Sequence, residues 1–169
     1  IGGGSSTTFS GEIIGTGGSL VKTGSATLTL SGVNTFTAGT TLSQGTIQVG
    51  NNQAFGIGAM VMSGGRVSSD SATARSLSNA LTLSGTLGFG SVANAGTLTM
   101  GGAVTLASNV ALTVDSAVAL NGVVSGAFGF NKAGAGELTL AGVNTFTGTT
   151  TVSAGILTIA GGTAIANTA

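Results

Sequence analysis

Residues 24–50, GSATLTLSGVNTFTAGTTLSQGTIQVG, recur as residues 134–160, GAGELTLAGVNTFTGTTTVSAGILTIA, at a constant offset of 110 with no gap. Fourteen of these 27 positions are identical, including the unbroken run Val33 to Thr37 against Val143 to Thr147. Shared low complexity does not hold a register over that length. The chain is therefore a repetitive architecture, whose units bury an apolar face only by stacking on one another. The match extends upstream, where FSGEIIGTGGSLVKTG is similar to LNGVVSGAFGFNKAG with one residue deleted, so that Lys22 and Lys132 take the same place. The two clear copies run over residues 9–50 and 120–160 of what reads as a single segment, 1–169, of a longer protein.

Within and between the copies a shorter spacing appears. Strand-like centres at Leu28, Ile47, Val67, Leu87 and Leu106 lie 19 or 20 residues apart, Leu138 to Leu157 repeats the 19, and the phase is lost between Leu106 and Leu138. Each centre alternates aliphatic with Thr, Ser or Gln, as in T-L-T-L and T-I-Q-V, which is the period of a half-buried strand. Gly stands at nearly every break, and Asn-Gly or Asp-Gly hairpin signals are absent except at Asn121-Gly122. Such strands turn corners and pair with the next coil. The expectation is an all-β chain, a parallel β-helix or solenoid with coils of roughly 20 residues.

Composition agrees and narrows the function. With 32 Gly, no Pro, and Leu and Val always close to Gly, Ser or Asn, no uninterrupted amphipathic helix of 10 residues can be drawn. The abundance of Val, Ile, Leu and Thr argues against disorder. Four basic residues, Lys22, Arg66, Arg75 and Lys132, balance Glu12, Asp70, Asp115 and Glu137, so there is no basic stripe for nucleic acid or anionic lipid. No apolar run is long enough to insert in a membrane. Zero Cys and zero His remove disulfides, thiolate chemistry, Cys-ligated metals and nucleophilic triads. The chain starts at Ile1 without a leader, so any signal peptide is expected outside it.

The segments LTLSGVNTFTAGTTLSQGTIQVG and LTLAGVNTFTGTTTVSAGILTIA, with Lys22-Thr-Gly24 and Lys132-Ala-Gly134 just upstream, resemble the passenger-associated repeat of bacterial autotransporters. The resemblance implies a right-handed β-helical passenger that crosses the outer membrane through a barrel domain of its own polypeptide. That barrel is not in these residues.

The motif reads structurally. Leu28, Leu30, Ile47 and Val49, with Leu138, Leu140, Leu157 and Ile159, are expected to point into the coil, and Phe36 and Phe146 to plug a corner. Asn34 and Asn144 are expected to form ladders between coils or left-handed turns. Gly32, Gly45, Gly142 and Gly155 are expected at positive backbone angles or close approaches. Glu12 and Glu137 lie near the repeat lysines, where solvated pairs are expected. Asp70, between Arg66 and Arg75, makes the one local charge cluster, read as a surface ion pair, and Asp115 ends an aliphatic run at a corner.

No catalytic, cofactor-binding or metal-ligating set emerges, and the chain is not expected to be an enzyme. Four scattered carboxylates offer little for acid–base work. The spacing Gly88-Phe-Gly-Ser-Val-Ala93 is followed by no helix and is a chance match to a dinucleotide loop. Thr pairs at 27/29, 35/37, 97/99 and 145/147 do not recur on every coil, which argues against an ice-binding array. The expected function is a structural or adhesive segment at a Gram-negative cell surface. Alternatives are a filament subunit or the non-catalytic part of a carbohydrate-active β-helix. The expected partners are the protein's own barrel and copies of itself, end to end or side to side. The uncharged ends, Ile1 to Ser6 and Gly161 to Ala169, lead to the expectation that further coils adjoin them.

Overall fold

A computed structural model describes residues 4–160. The expectation about the two ends falls largely outside these residues. Among them there is no helix, and every strand pairing is parallel. The chain is a β-solenoid of about eight turns.

Three stacks of strands run along it. The first holds β2 (Ser19–Lys22), β4 (Gly39–Leu42), β6 (Met60–Met62), the start of β9 (Leu81–Phe89), the start of β11 (Val104–Val114) and β13 (Val124–Ser125). The second holds β1 (Thr7–Phe9), β3 (Thr27–Leu30), β5 (Thr46–Val49), β7 (Arg66–Ser69), the later parts of β9 and β11, β14 (Phe130–Ala133) and β16 (Thr150–Val152). The third holds β8 (Arg75–Leu77), β10 (Leu98–Met100), β12 (Val118–Leu120), β15 (Glu137–Leu140) and β17 (Ile156–Ile159). Because β9 and β11 each belong to two stacks, the first two form one 12-stranded sheet.

Alternation along each strand turns into vertical columns of buried side chains. Leu28, Ile47, Val67, Phe89 and Val114 stack in register, and Leu42, Met62, Leu83 and Leu106 form another such column. Hydrophobic burial between coils is the main stabilising term, since each unit has little core of its own. Phe36 and Phe146 are fully buried as expected, and the Phe146 ring lies 5.6 Å from that of Phe130. Leu157 and Ile159 continue the columns of Leu138 and Leu140, but Leu157 is half-buried and Ile159 exposed. Their strand has a described neighbour on one side only, so the expected burial is not reached there.

The 20-residue spacing holds from Leu28 through Ile47 to Val67 and then slips. Val67 is followed in its column by Phe89, not Leu87, because the loop of residues 70–74 lengthens that coil. Leu87 pairs with Leu112 and Leu106 with Leu83, across a register shift between Leu106 and Val110. Added residues in the middle coils thus explain the lost phase. They also rotate the repeat. Lys22 lies in the first stack and Lys132 in the second; Leu28 lies in the second and Leu138 in the third. The second copy is carried one side further round the solenoid.

Candidate functional site

The repeat is built around a lysine. In both copies it sits at an inward position of its strand, in phase with Leu20 in Ser19–Lys22 and with Phe130 in Phe130–Ala133. Lys22 is 2% exposed and Lys132 is 0% exposed. The expectation of solvated lysine–glutamate pairs is therefore overturned. The strand's alternation gives the side chain nowhere else to go.

A buried ammonium needs partners for its three N–H groups. Lys22 Nζ donates to the carbonyls of Thr23 at 2.9 Å, Gly24 at 2.7 Å and Gln44 at 3.4 Å. Lys132 Nζ donates to those of Gly134 at 3.0 Å, Ala154 at 2.9 Å and Ala133 at 3.5 Å. Two carbonyls in each cage come from the lysine's own corner and the third from the next coil, so each lysine clips coil to coil. Burial pushes both ammonium groups below the ordinary lysine range, and the Asp115 carboxylate draws Lys132 the other way.

Glycine closes each cage. Gly45 and Gly155 have φ of +74° and +70°, and a Cβ on either would lie 2.6 Å from the lysine Nζ beneath it. The sequence signature Lys-x-Gly, followed two dozen residues later by Gly, is this cage written along the chain.

Asn34 makes a second clip. Its Oδ1 accepts from Ile13 N–H at 2.8 Å and its Nδ2 donates to the Ala54 carbonyl at 2.7 Å, joining the coils on either side. Asn144 Oδ1 accepts from Val124 N–H at 2.8 Å, while its Nδ2 has no partner. No described residue other than Gly has positive φ, so neither Asn makes the left-handed turn that was one expectation. The rungs run from side chain to backbone, not from Asn to Asn. Asn79, not singled out in the sequence, does the same work by donating to the carbonyls of Gly56 and Gly58.

The middle coils hold the ion pairs. Arg75 donates to Asp70 Oδ1 at 2.8 Å, but Arg66 reaches Asp115 Oδ2 at 2.7 Å, so the expected three-residue cluster is split in two. The Arg66 guanidinium crosses Gly88, where a Cβ would lie 2.8 Å from Cζ, and donates to the Gly90 carbonyl at 2.6 Å on the way. It spans three successive coils. Glu12 and Glu137 each accept from a threonine hydroxyl one coil away, Thr35 and Thr158. The arrangement is built for cohesion between coils; no two carboxylates are brought together for chemistry.

Residues 20–49 and 130–159, which contain both cages, are each matched by the family model of the passenger-associated-transport-repeat. The chain carries two such repeats. It is also similar, at 45% identity over 56 residues, to the adhesin BmaC autotransporter of Brucella suis biovar 1 (strain 1330). That similarity covers 33% of this chain and 2% of the Brucella protein. No solved structure matches the chain.

Proposed function

We propose that this chain is a non-catalytic, surface-exposed segment of an autotransporter passenger, a stiff β-helical spacer that holds adhesive parts of the same polypeptide away from a Gram-negative cell. The lysine clips carry this reading. They place the chain's two lysines inside the rod as coil-to-coil fasteners, while its arginines are spent on ion pairs, which leaves a nearly neutral exterior suited to standing in solvent. Similarity to a passenger repeat and to a protein named as an adhesin supports the surface setting. The partner implied is the barrel domain of the same polypeptide.

The test is to fuse residues 1–169 ahead of an autotransporter barrel, in one and in two tandem copies, with a binding tag at the outer end. Antibody labelling of intact cells should find the tag outside, and the doubled spacer should move it further from the membrane. Retention of the fusion in the periplasm would refute the passenger reading. A tag held at unchanged distance by the doubled segment would refute the spacer.

A further inference from the structure

We infer that the outer face of the second stack is a binding face for an uncharged, hydroxyl-rich polymer such as a neutral glycan. This goes beyond the spacer role. Near one end of that face the outward positions of β11, β14 and β16 form two rows across consecutive coils, Asn109, Gly129, Thr149 and Ala111, Asn131, Thr151, set by the pairing of Val110 with Phe130 and Phe130 with Thr150. Gly129 and Ala111 are the short members of this array. They leave a shallow groove of about 360 Å³. The backbone enforces the gap, since a Cβ at Gly129 would lie 1.9 Å from the Thr149 carbonyl oxygen.

The rim of the groove is chemically uniform. Asn109 uses Oδ1 to accept from Gly129 N–H at 3.1 Å, and Asn131 uses Oδ1 to accept from the Ser153 hydroxyl at 2.6 Å. Both amides keep Nδ2 as a donor, and the exposed hydroxyls of Thr149 and Thr151 can donate and accept. No charged side chain lines the groove. Such a set matches the paired donors and acceptors of sugar hydroxyls and offers nothing to a phosphate, a sulfate or an ammonium. It is also concave, unlike the flat array that would order ice.

A second groove, of about 340 Å³, opens on the same stack at the other end and is lined by Ser6, Thr7, Thr8, Thr27, Thr29 and Gln48, again without charge. Thr29 donates to Gln48 Oε1 at 3.0 Å, which leaves the Gln48 amide as a donor. Five strand steps separate β3 from β14, so the two grooves lie roughly 24 Å apart at the usual strand spacing. One extended chain of several sugars spans that distance.

The probe is a set of uncharged hexasaccharides, cellohexaose, mannohexaose and chitohexaose, titrated into the purified chain with saturation-transfer NMR. At least one should bind, and N131A/T151V together, or Ala111→Leu filling the floor, should weaken it about tenfold with an unchanged melting profile. Thr105→Val, on the first stack, should leave binding as it was. No transfer from any of the three, binding untouched by the groove variants, or loss of dimerisation on N131A in place of sugar binding would each overturn the proposal. None of these outcomes bears on the display assay, so the spacer reading stands or falls separately.

Discussion

The two repeat copies and the coils between them solve one problem with different chemistry. A solenoid is joined only between neighbouring coils, so each corner must be tied to the next. In the copies the tie is a buried ammonium among three carbonyls, at Lys22 and again at Lys132. Between them the coils lengthen, and the tie becomes Arg66, running over Gly88 to Asp115. The lysine clip needs only its own corner and the next coil, so it can be copied whole and set down on a different side of the rod. The arginine staple depends on a partner 49 residues away and on a glycine between, and cannot be copied in the same way.

Core substitutions give the largest effect and test whether the two copies are equivalent despite their rotation. Leu30 and Leu140 are both 0% exposed. Leu30→Asp or Leu140→Asp should each destabilise the chain by about 4 kcal/mol or more, since an unpaired charge enters a packed column. Denaturant melts of the two should agree within about 1 kcal/mol. A much milder effect at Leu140 would mean that the second copy is not packed like the first.

The clips come next. Lys22→Met and Lys132→Met keep much of the volume but strip the donors from three buried carbonyls, and each should cost about 3 kcal/mol. Gly45→Ala or Gly155→Ala forces a methyl into the same cage at positive φ and should cost about 2 kcal/mol. If melting shows Lys→Met to be neutral, the ammonium is a passenger in its cage rather than its fastener. Arg66→Leu should cost about 2 kcal/mol, chiefly by leaving Asp115 unpaired, and native-state hydrogen exchange should place the loss in the middle coils alone.

The same contrast explains what the sequence disclosed. Strand alternation, coil length in the copies, and the burial of Phe36 and Phe146 follow from periodicity. The lysines were misplaced because charged residues are almost never fully buried, and that prior outweighed a visible cue: Lys22 and Lys132 keep the inward phase of Leu20 and Phe130. The middle was opaque for another reason. Neither the extra residues around 70–74 nor the register shift before Val110 leaves a periodic mark, and Arg66 stands nearer in sequence to Asp70 than to its partner Asp115. The grooves were hidden too, since only pairing shows that Gly129 and Ala111 fall between Asn and Thr side chains.

The smallest effect falls on the pair that the sequence did place. Asp70 and Arg75 meet at 2.8 Å with side chains 25% and 19% exposed, a setting between a surface pair and a buried one. Burial alone would raise the Asp70 carboxyl, but the hydrogen bond and charge of Arg75, with the Ser71 hydroxyl, outweigh it and hold the group below the usual carboxylate range. A carboxyl depressed on folding adds stability that is fully present above its unfolded value, near pH 4, and is lost as pH falls through the folded one. Asp70→Asn should therefore cost about 1 kcal/mol at pH 7 and next to nothing at pH 2. Melting the variant and the parent chain at both pH values measures the difference directly. An equal gap at the two would show that Asp70 acts through its shape in the loop and not through its charge.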